Sequence, residues 1–487
     1  MPPKPFPQLS EDQENDLKLN TQQWALSNGL VMYPPNFEPY QVNVAPITLF
    51  PTPIPRSSFE QATKVQTLYN ELYINLITKR KEWLIEILKR LAEFDSDFSG
   101  KLFDIYQKSI AEGVLQPLSL GIFRSDYMVD SSTRQIKQIE FNTVSVSFGG
   151  LSTKIGQLQT FLNTTGAYDN KYNFKYYDND ELPTSTSASD IAQGLADGNY
   201  HYNGAVENTD TIILFVIQPN ERNCFDQRIV EYALFHEHGI RSVRVTLEDV
   251  NEVVTNNSGK LYVKSTMDEI SVVYYRSGYG PGDYDSDPEK TWNARLFLEK
   301  SQAIKCPSIL TQLSGSKKIQ QLLTNESIIK QILPDIADKD LQSLLSTFVR
   351  ILPFDDTEQG KEAAKLAFQE PEKFVLKPQR EGGGNNIYKL DIPQFLNKID
   401  KKDWGAYILM ELITPETFEN KILRNNQVFH ERIVSELGVF GTILFDEQSG
   451  AIKSNKNAGW LLRSKFETSD EGGVAAGFGC VDNVYIY

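Results

Sequence analysis

The sequence has few of the residues on which disulfide-stabilised or zinc-binding proteins depend. Its 487 residues include 3 cysteines and 4 histidines. The cysteines, Cys224, Cys306 and Cys480, are too few and too scattered for a disulfide scaffold or a zinc site. No apolar leader opens the sequence, and no stretch approaches the roughly 18 apolar residues of a membrane span. We therefore expect a reduced, soluble, cytoplasmic protein.

Basic residues are also in the minority. Lys and Arg number 49 against 64 Asp and Glu, which gives a net charge of −15. This balance argues against nucleic acid or an anionic membrane as the main partner, but it leaves room for a local basic pocket that binds an anionic small molecule. The length corresponds to about three units of roughly 150 residues, or to one large composite enzyme.

The spacing of apolar residues divides the chain into segments. Residues 65–94 have helical spacing, and residues 121–148 alternate like two strands joined by a turn. The polar segment 163–210 is expected to be an exposed insertion. From 211 to 310, apolar strands and a helix predict a small doubly wound unit, and a second α/β region follows after 311.

The strongest local signal is a lysine followed by a glycine run at 377–386. A predicted strand ends in Lys377, and the glycines at 382–384 would let backbone N–H groups face a phosphate. The spacing is not that of a Walker A loop, and on spacing alone an ordinary glycine-rich hairpin is an equal alternative. A second glycine-rich segment, 471–479, follows a strand with Arg463 and Lys465. It suits either a loop that closes over a site or a flexible surface turn.

Polar residues at strand ends suggest two further ligand sites. Glu140 and Asn142 share one face of a predicted strand and, with Glu381, could bind Mg²⁺, although a solvated strand face is the simpler interpretation of Glu140 alone. Four side chains follow strands of the doubly wound unit, where open α/β sheets bind ligands; they are Glu221, Asn223, Gln227 and Arg276. Helix capping by Asp226 and a surface ion pair for Arg276 are the structural alternatives.

Two other patterns carry less weight. The segment 315–318 resembles a fragment of a phosphate-binding loop but lacks the upstream glycine. His236 and His238 are two positions apart near a predicted helix end, so they do not share a helix face for metal binding. Neither pattern predicts a site.

Several long motifs in chain order together resemble the eukaryotic glutathione synthetase family, of a yeast-type fungal kind. The resemblance extends from about residue 22 to residue 487. Its motifs are QWALSNGLVMYPP, PTPIPR, FRSDY at 123–127, IEFNTVSVSFGGL at 139–151, ERNCFDQR at 221–228, YYRSGY at 274–279, TQLSGSKKIQQ at 311–321, KPQREGGGNN at 377–386, LLRSK and EGGVAAG.

The resemblance implies an α/β protein with a permuted ATP-grasp fold that acts as a homodimer. Residues 1–210 would form the N-terminal part of the body, and 211–310 an inserted Rossmann-like substrate domain. Residues 311–487 would form the C-terminal part, with a mobile lid at about 345–415. The implied reaction joins γ-glutamylcysteine to glycine with ATP and Mg²⁺ through an acyl phosphate, and it releases ADP and phosphate. It is the second step of glutathione biosynthesis.

The resemblance also implies roles for individual residues. The implied metal ligands are Glu140, Asn142 and Glu381. The implied nucleotide contacts are Glu140, Lys305, Lys377, Pro378, Gln379, Arg380, Glu381, Gly382, Gly383, Gly384, Asn385, Asn386, Tyr388, Met410, Glu411, Leu412, Ile413, Glu436, Lys465 and Glu471. The implied substrate contacts are Arg124, Val144, Ser145, Val146, Ser147, Glu221, Arg222, Asn223, Gln227, Arg276, Ser277, Gly278, Tyr279, Arg463, Val474 and Ala475. Arg124 and Arg463 are the candidate catalytic residues.

Two alternatives remain beside this interpretation. A relative could use β-alanine in place of glycine, but such relatives depart from the alanine pair that is kept here at Ala475 and Ala476. A nucleotide-binding regulatory protein without chemistry would have lost metal ligands, phosphate-binding lysines or loop glycines, all of which are present.

Overall fold

The structure is a computed structural model that describes residues 2–169, 174–206, 209–380, 384–469, 473–474 and 479–487. Its α-helices in these ranges are α1 (Glu11–Asn28), α2 (Arg56–Lys79), α3 (Lys81–Phe94), α4 (Lys101–Ala111), α5 (Gly149–Thr164), α6 (Ser187–Tyr202), α7 (Cys224–His238), α8 (Val250–Val253), α9 (Pro288–Glu299), α10 (Ile309–Ser314), α11 (Lys317–Leu322), α12 (Glu326–Ile332), α13 (Asp338–Leu345), α14 (Glu358–Gln369) and α15 (Asp391–Leu396). A short π-helical turn, Ser96–Gly100, separates α3 from α4.

The strands form one large sheet and three small ones. They are β1 (Val31–Met32), β2 (Asn43–Val44), β3 (Ile47–Thr48), β4 (Thr52–Ile54), β5 (Leu118–Val129), β6 (Ile136–Asn142), β7 (Ile212–Ile217), β8 (Ser242–Thr246), β9 (Val254–Asn257), β10 (Lys260–Val263), β11 (Glu269–Tyr275), β12 (Ile304–Cys306), β13 (Ile351–Pro353), β14 (Phe374–Pro378), β15 (Ile387–Tyr388), β16 (Tyr407–Glu411), β17 (Thr417–Arg424), β18 (Gln427–Asp446), β19 (Ile452–Phe466), β20 (Gly479–Asp482) and β21 (Val484–Ile486).

The large sheet has apolar cores on both of its faces. Its strand order is β8–β7–β11–β12–β5–β18–β19–β20–β3–β17, with β6 added to β5 and the β9–β10 hairpin to β11. Successive residues of a strand point to opposite faces, so Ile122 and Phe123 of β5 enter different cores. The helix α2 packs on one face, against β18 and β19, and α6 packs on the other. The predicted mixed α/β class is confirmed.

One end of this sheet is a parallel unit. The strands β8, β7, β11 and β12 are all parallel, and β12 joins the rest of the sheet where Lys305 pairs with Ser119 of β5. After β7 the chain forms β8 on one side of β7, and it later forms β11 on the opposite side of β7. The strand order therefore reverses between β7 and β11, and open α/β sheets bind ligands at the carboxyl edge of such a reversal.

The other end of the sheet closes on itself. The strands β18, β19, β20, β3 and β17 pair in turn, and β17 pairs again with β18. The long strand β18 belongs to both parts, because its first half pairs with β17 in the ring and its second half pairs with β5.

The expectation of an exposed insertion at 163–210 is wrong in both halves, since Tyr177 of the first half is buried in the core as well. Residues 187–202 form α6, and Ile191 and Leu195 are buried in the core. Small residues allow this polar-looking helix to approach the sheet closely. A Cβ atom at Gly194 would lie 2.6 Å from the Thr442 side chain, and one at Gly198 would lie 3.2 Å from Val272.

A separate four-stranded antiparallel sheet lies between residues 351 and 411. Its order is β13–β16–β14–β15, and it forms its own small core with α14 and α15. Leu352, Phe374, Leu376 and Leu409 are buried in this core. The sheet falls within the segment that the sequence predicts to be a lid. Among the described residues, no helix is both long and apolar enough to cross a membrane.

Candidate active site

The β5–β6 hairpin brings the first predicted site residues together. Its register places Arg124 opposite Asn142 and Asp126 opposite Glu140. The side chain of Arg124 is 7% exposed, and Asp126 is completely buried. Arg124 Nε lies 2.6 Å from Asp126 Oδ1, and Arg124 Nη2 lies 2.8 Å from Oδ2, which is a bidentate pair.

Asp126 was missed by the sequence analysis, although it lies two positions from Arg124 within the FRSDY motif. Its Oδ2 also accepts a hydrogen bond of 3.1 Å from Asn142 Nδ2 and one of 3.2 Å from Arg463 Nη2. One buried carboxylate therefore holds both candidate catalytic arginines. The signal that could have found it is the period of two along a strand, which puts positions 124 and 126 on one face.

Arg463 reaches this carboxylate from the β18–β19 pair, where it lies opposite Glu436. Arg463 also forms an ion pair with Glu436. Burial and the like charge of Arg124 lower the pKa of Arg463, whereas Asp126 and Glu140 oppose that change. Because guanidinium groups stay protonated in proteins, both arginines remain cations at neutral pH.

Glu140 forms a second anionic point close to the first. Lys317 Nζ lies 3.0 Å from Glu140 Oε2, and Lys377 Nζ donates a hydrogen bond of 2.9 Å to the carbonyl of Ile139. Burial opposes ionisation of Glu140, but Lys317, Lys377 and Arg124 hold its pKa well below the usual range. Glu140 is therefore a carboxylate at neutral pH, surrounded by cations.

Lys317 is a site residue that the sequence analysis dismissed with the segment 315–318. Ser316 precedes α11, and this helix begins at Lys317, whose side chain is buried against Glu140. The missing upstream glycine correctly excluded a Walker loop. It gave no information about a lysine that acts from the start of a helix.

Lys305, by contrast, is not brought to this cluster. It lies on β12 opposite Ser119, which is five positions (124 − 119) along β5 from Arg124, or about 17 Å of strand. Its Nζ donates a hydrogen bond of 2.8 Å to the carbonyl of Ser301. Burial lowers the pKa of Lys305 to about 8, although Glu299 and Glu447 oppose this. The grouping of Lys305 with Lys377 is therefore not formed.

The loop 144–148 lies between two guanidinium groups. Arg276 Nη2 donates a hydrogen bond of 2.7 Å to Ser147 Oγ, and Arg276 also donates to the carbonyl of Val146. Arg124 Nη1 donates to the carbonyl of Ser147 at 3.2 Å. Ser145 has a φ of 51° and Phe148 has a φ of 72°, so the backbone turns sharply on both sides of this contact. The loop therefore joins the β5–β6 hairpin to the carboxyl end of β11.

Asp226 caps a helix, but the helix is not its own. It lies inside α7, and its carboxylate accepts hydrogen bonds of 2.7 Å from Phe148 N and 3.0 Å from Leu151 N, at the start of α5. Asn223 Nδ2 donates to the same carboxylate at 3.2 Å. Burial raises the pKa of Asp226, with Arg276 opposing. Asp226 thus connects the parallel unit to the loop 144–148.

The predicted residues after β7 form a cluster of their own. Glu221 accepts a hydrogen bond of 2.8 Å from Asn223 N and one of 3.0 Å from Gln227 Nε2. Arg222 Nε donates to the carbonyl of Tyr33 at 3.3 Å. These side chains lie at the carboxyl edge of the parallel unit, as the sequence predicts.

A cavity of about 410 Å³ lies at the same edge, above β7, β8 and β11, and Ser277 and Tyr279 line it. Asp283 shapes its wall, because Oδ2 accepts hydrogen bonds of 2.9, 3.1 and 3.2 Å from the N–H groups of Gly278, Tyr279 and Gly280. Gly278 has a φ of 89°, and a Cβ atom there would lie 2.9 Å from Tyr284 Oη. The tight turn therefore requires glycine.

The predicted nucleotide strands pair with each other in the small sheet. Lys377 lies opposite Ile408, and Val375 lies opposite Met410. Met410 is buried, Glu411 is exposed, and Leu412 N donates to the carbonyl of Lys373 at 2.8 Å. Pro378 ends β14.

Several predicted residues follow this strand or lie near the C-terminus. Gln379 Oε1 accepts a hydrogen bond of 3.0 Å from Lys318 N, and Asn386 Nδ2 donates to Tyr388 Oη at 3.2 Å. Lys465 lies on β19 opposite Val434, and Val474 is buried. Five predicted residues lie outside the described ranges: Glu381, Gly382, Gly383, Glu471 and Ala475.

Two of the three predicted metal ligands, Glu140 and Asn142, offer the oxygen atoms that Mg²⁺ prefers as ligands. Glu140 is an ionised carboxylate, and the amide nitrogen of Asn142 donates to Asp126, so the carbonyl oxygen of Asn142 is its remaining ligand atom. Oxygen atoms of this kind suit a hard cation. Among the described residues, no group of three or more His, Cys, Asp and Glu is arranged to hold a metal. Glu381, the third predicted ligand, lies outside those residues.

The site therefore gathers two arginines and two lysines around the buried carboxylate of Asp126 and the half-buried carboxylate of Glu140, beside a strand that leads into a glycine run. This charge distribution suits the transfer of a phosphoryl group between anionic partners, because little covalent chemistry falls to the protein in such a reaction. The fold and the site are those of an ATP-dependent ligase.

Comparison with known proteins identifies the family. Residues 11–486 match the model of the ATP-binding domain of eukaryotic glutathione synthase. The large chain of glutathione synthetase from Schizosaccharomyces pombe is 39% identical, with 97% of this chain and 98% of that protein covered. Glutathione synthetases of Dictyostelium discoideum (36% identical, 97% and 99% covered) and Homo sapiens (37% identical, 91% and 90% covered) are also similar.

A solved structure has the same fold. A glutathione synthetase like-effector from Globodera pallida, in its apoform, superimposes with a TM-score of 0.75 at 20% identity, and the match covers 100% of both chains. The fold class predicted from the sequence motifs is confirmed. This chain belongs to the eukaryotic glutathione synthase family of ATP-dependent ligases.

Proposed function

We propose that the protein joins γ-glutamylcysteine to glycine, with cleavage of ATP to ADP and phosphate, and so produces glutathione. The observation that carries the proposal is the cluster in which Asp126 and Glu140 hold Arg124, Arg463 and Lys317 at one place. ATP and γ-glutamylcysteine are both anionic, and this cluster supplies fixed positive charge to bind them.

The chemistry requires an activated carboxylate. A free carboxylate is a poor acyl donor. The terminal phosphoryl group of ATP is therefore transferred to the carboxylate of γ-glutamylcysteine that will be joined to glycine, and ADP is released. The amine of glycine then attacks the acyl phosphate, and phosphate leaves. The protein contributes alignment of the reacting groups and stabilisation of the developing negative charge.

We assign the nucleotide phosphates to Lys377 and Lys317. Both lysines lie at Glu140, and Lys377 is the next-to-last residue of the strand that leads into the glycine run. Lys305 has no part in this assignment, since its ammonium group lies against the Ser301 carbonyl. Met410 to Ile413 would hold the adenine through backbone groups, and Glu436 would hold the ribose.

The residues present fit Mg²⁺. Glu140 and Asn142 would hold it, with Glu381 as the third ligand. A bound Mg²⁺ would neutralise the phosphate charge that builds up during transfer. Glu140 is ionised and can bind the cation, because Lys317, Lys377 and Arg124 oppose its protonation.

The dipeptide fits the carboxyl edge of the parallel unit. Arg276 and Arg124 offer guanidinium groups, which pair with carboxylates through two hydrogen bonds. The loop 144–148 lies between them and supplies backbone and hydroxyl partners. Arg463 and Arg124, which are linked by Asp126, would stabilise the negative charge that develops on the oxygen atoms at the reacting carbon.

The proposed organisation has an inserted substrate unit at 211–310 and a lid at about 345–415. Its support is the parallel unit at one end of the large sheet and the separate four-stranded sheet with its own core. Closure of the lid would exclude water from the acyl phosphate. The homodimer comes from the family resemblance, and light scattering of the purified protein checks it. The cytoplasmic location is the expectation drawn from the sequence above.

The test is the release of phosphate from ATP in the presence of γ-glutamylcysteine and glycine, singly and together. We expect release that depends on both and that equals the glutathione formed. Side-by-side turnover with β-alanine checks the choice of amine, and glycine should be the better substrate. ATP binding without release would instead support the regulatory alternative and reject the enzyme.

A further inference from the structure

An ion pair joins the strand that leads into the glycine run to the end of a helix on the body of the molecule. Arg380 follows β14, and its Nη2 lies 2.8 Å from Oδ1 of Asp95, while Nη1 contacts Oδ2. The two residues are 285 positions apart, and Asp95 is the C-cap of α3. A guanidinium that meets both oxygens of a carboxylate has its orientation fixed as well as its position.

Asp95 is itself held firmly. Its Oδ2 accepts hydrogen bonds of 3.1 Å from Ser99 N and 2.6 Å from Ser99 Oγ. The guanidinium of Arg380 lies 5.7 Å from the centre of the Phe98 ring. Asp95 is 11% exposed and Arg380 is 28% exposed, so water screens the pair less than it screens a surface pair. Burial opposes ionisation of Asp95, but Arg380 and Ser99 lower its pKa.

Two other contacts attach the same short segment to the body. Lys377 Nζ donates to the carbonyl of Ile139, and Gln379 Oε1 accepts from Lys318 N. Arg380 is the last residue that the structure describes before residues 381–383, and in sequence it directly precedes Glu381 and the glycines. The ion pair with Asp95 therefore fixes the point from which the chain enters the glycine run.

We propose that Asp95 is a positioning residue for nucleotide binding, and that Arg380 acts through Asp95 and not by touching the nucleotide. The proposal gives Arg380 a role other than the nucleotide contact that the family resemblance implies, and it adds Asp95, which no sequence motif indicated. The inference rests on the proposed function, since it assumes that the glycine run binds ATP.

The test compares Asp95→Asn, Arg380→Gln, the double variant and Arg380→Lys with the full-length protein. For Asp95→Asn and Arg380→Gln we expect KM for ATP to rise roughly tenfold, with a smaller change in kcat and an unchanged KM for γ-glutamylcysteine. The double variant should be no worse than either single variant, because both remove the same interaction. Arg380→Lys should be intermediate, since it keeps the charge but loses the second hydrogen bond.

Glu362→Gln is the matched control, because it removes an ion pair with Arg350 that is exposed and lies in the same small sheet region. It should leave all constants at the wild-type values. A wild-type KM for ATP in Asp95→Asn would overturn the proposal, even if thermal stability fell. So would a much larger loss in Arg380→Gln than in Asp95→Asn, because Arg380 would then contact the nucleotide itself.

The outcome is separable from that of the proposed function. If the wild-type protein and Glu362→Gln form no glutathione, the proposed function fails and the Asp95 variants do not bear on it. If both form glutathione and the variants do not differ from them, only the role of Asp95 is rejected. Should Asp95→Asn not fold, Asp95→Glu, which keeps the charge but moves the carboxylate, takes its place in the comparison with Arg380→Gln and Arg380→Lys.

Discussion

At the scale of single residues, buried charge decides which segments meet in the site. Asp126 has no exposed surface, yet it is hydrogen-bonded by two arginines and one asparagine. A buried carboxylate is tolerated only where such partners compensate its lost hydration. Sequence motifs indicated the arginines because their type suits anionic ligands. They did not indicate Asp126, because its partners come from three different strands.

The two lysines Lys317 and Lys305 show the same limit. Both are buried, but only Lys317 lies in one of the motifs shared with the family, and Lys305 is assigned by the resemblance alone. Only the structure separates them, because it places Lys317 Nζ at Glu140 and Lys305 Nζ at the Ser301 carbonyl. A motif fixes which residues are present, but the distance to the reacting groups depends on how β12 and α11 are placed.

We expect Lys317→Met to lose activity by roughly 10²–10³-fold, the usual effect of removing one charge-stabilising donor. Lys305→Met should keep KM for ATP within about threefold of wild type, because the ammonium group it removes is away from the cluster. Steady-state kinetics with ATP as the varied substrate measures both, and thermal unfolding shows whether either variant is damaged as a whole. The opposite order of effects would restore the assignment of Lys305.

At the scale of elements, much of the fold is predictable. The helical period over 65–94 corresponds to α2 and α3, and the apolar runs in 211–276 correspond to β7 and β11. Local patterns suffice here, because a strand buried on both faces is a continuous apolar run, whereas the apolar residues of an amphipathic helix recur every three or four positions. The ring of strands around β18 was not predictable, since β3 and β20 are short and pair only through distant segments. The helix α6 was missed because its buried face consists largely of small residues.

One carboxyl group joins three strands of the ring, β20, β3 and β19, and the neighbouring strand β4. Asp482 on β20 accepts hydrogen bonds of 2.6 Å from the hydroxyls of Thr48 and Thr52 and one of 2.5 Å from Ser464. Ser464 lies between Arg463 and Lys465 on β19. Asp482 therefore fixes, from the opposite face of the strand, the segment that carries a candidate catalytic arginine.

Burial raises the pKa of Asp482 from 3.8 to about 6, although its hydroxyl partners oppose this. The folded protein thus binds this proton more tightly than the unfolded chain does. The contribution of Asp482 to stability is full below about pH 4 and is lost as the pH rises through 6. Asparagine does not titrate, so Asp482→Asn should gain stability relative to wild type between pH 4 and pH 7, by at most about 3 kcal/mol.

Urea unfolding of both proteins at several pH values measures this difference. Asp130→Asn is the control, because hydrogen bonds from Ser132 and Thr133 lower the pKa of Asp130 despite the cost of burial. Wild type keeps the stability from this lowered pKa above about pH 4 and loses it as the pH falls further, so the difference of Asp130→Asn from wild type should be flat between pH 4 and pH 7 and change only below that range. A difference between Asp482→Asn and wild type that is independent of pH would contradict the raised pKa.

At the scale of the whole molecule, distant segments supply one site. Arg124, Lys317, Lys377 and Arg463 come from β5, α11, β14 and β19 and meet around carboxylates of the β5–β6 hairpin. The net charge of −15 is therefore a property of the surface as a whole and not of this site. Composition could exclude nucleic acid as a main partner, but it could not reveal that cations gather where a small anion would bind.

ATP cleavage is coupled to glutathione formation only when the small sheet that carries Lys377 lies against the rest of the protein. Gly384, at the end of the glycine run, has a φ of 90°, which valine adopts only with strain. We expect Gly384→Val to raise the ratio of phosphate released to glutathione formed above one, or to abolish both, because a distorted run would leave the acyl phosphate open to water. Gly113→Val is matched in geometry, since Gly113 has a φ of 93° and no atom lies within 4 Å of an added Cβ, as at Gly384. It should lower stability and leave the ratio at one. Tight coupling in Gly384→Val would show that shielding of the intermediate does not depend on the shape of this run, and that closure of the remaining lid is sufficient.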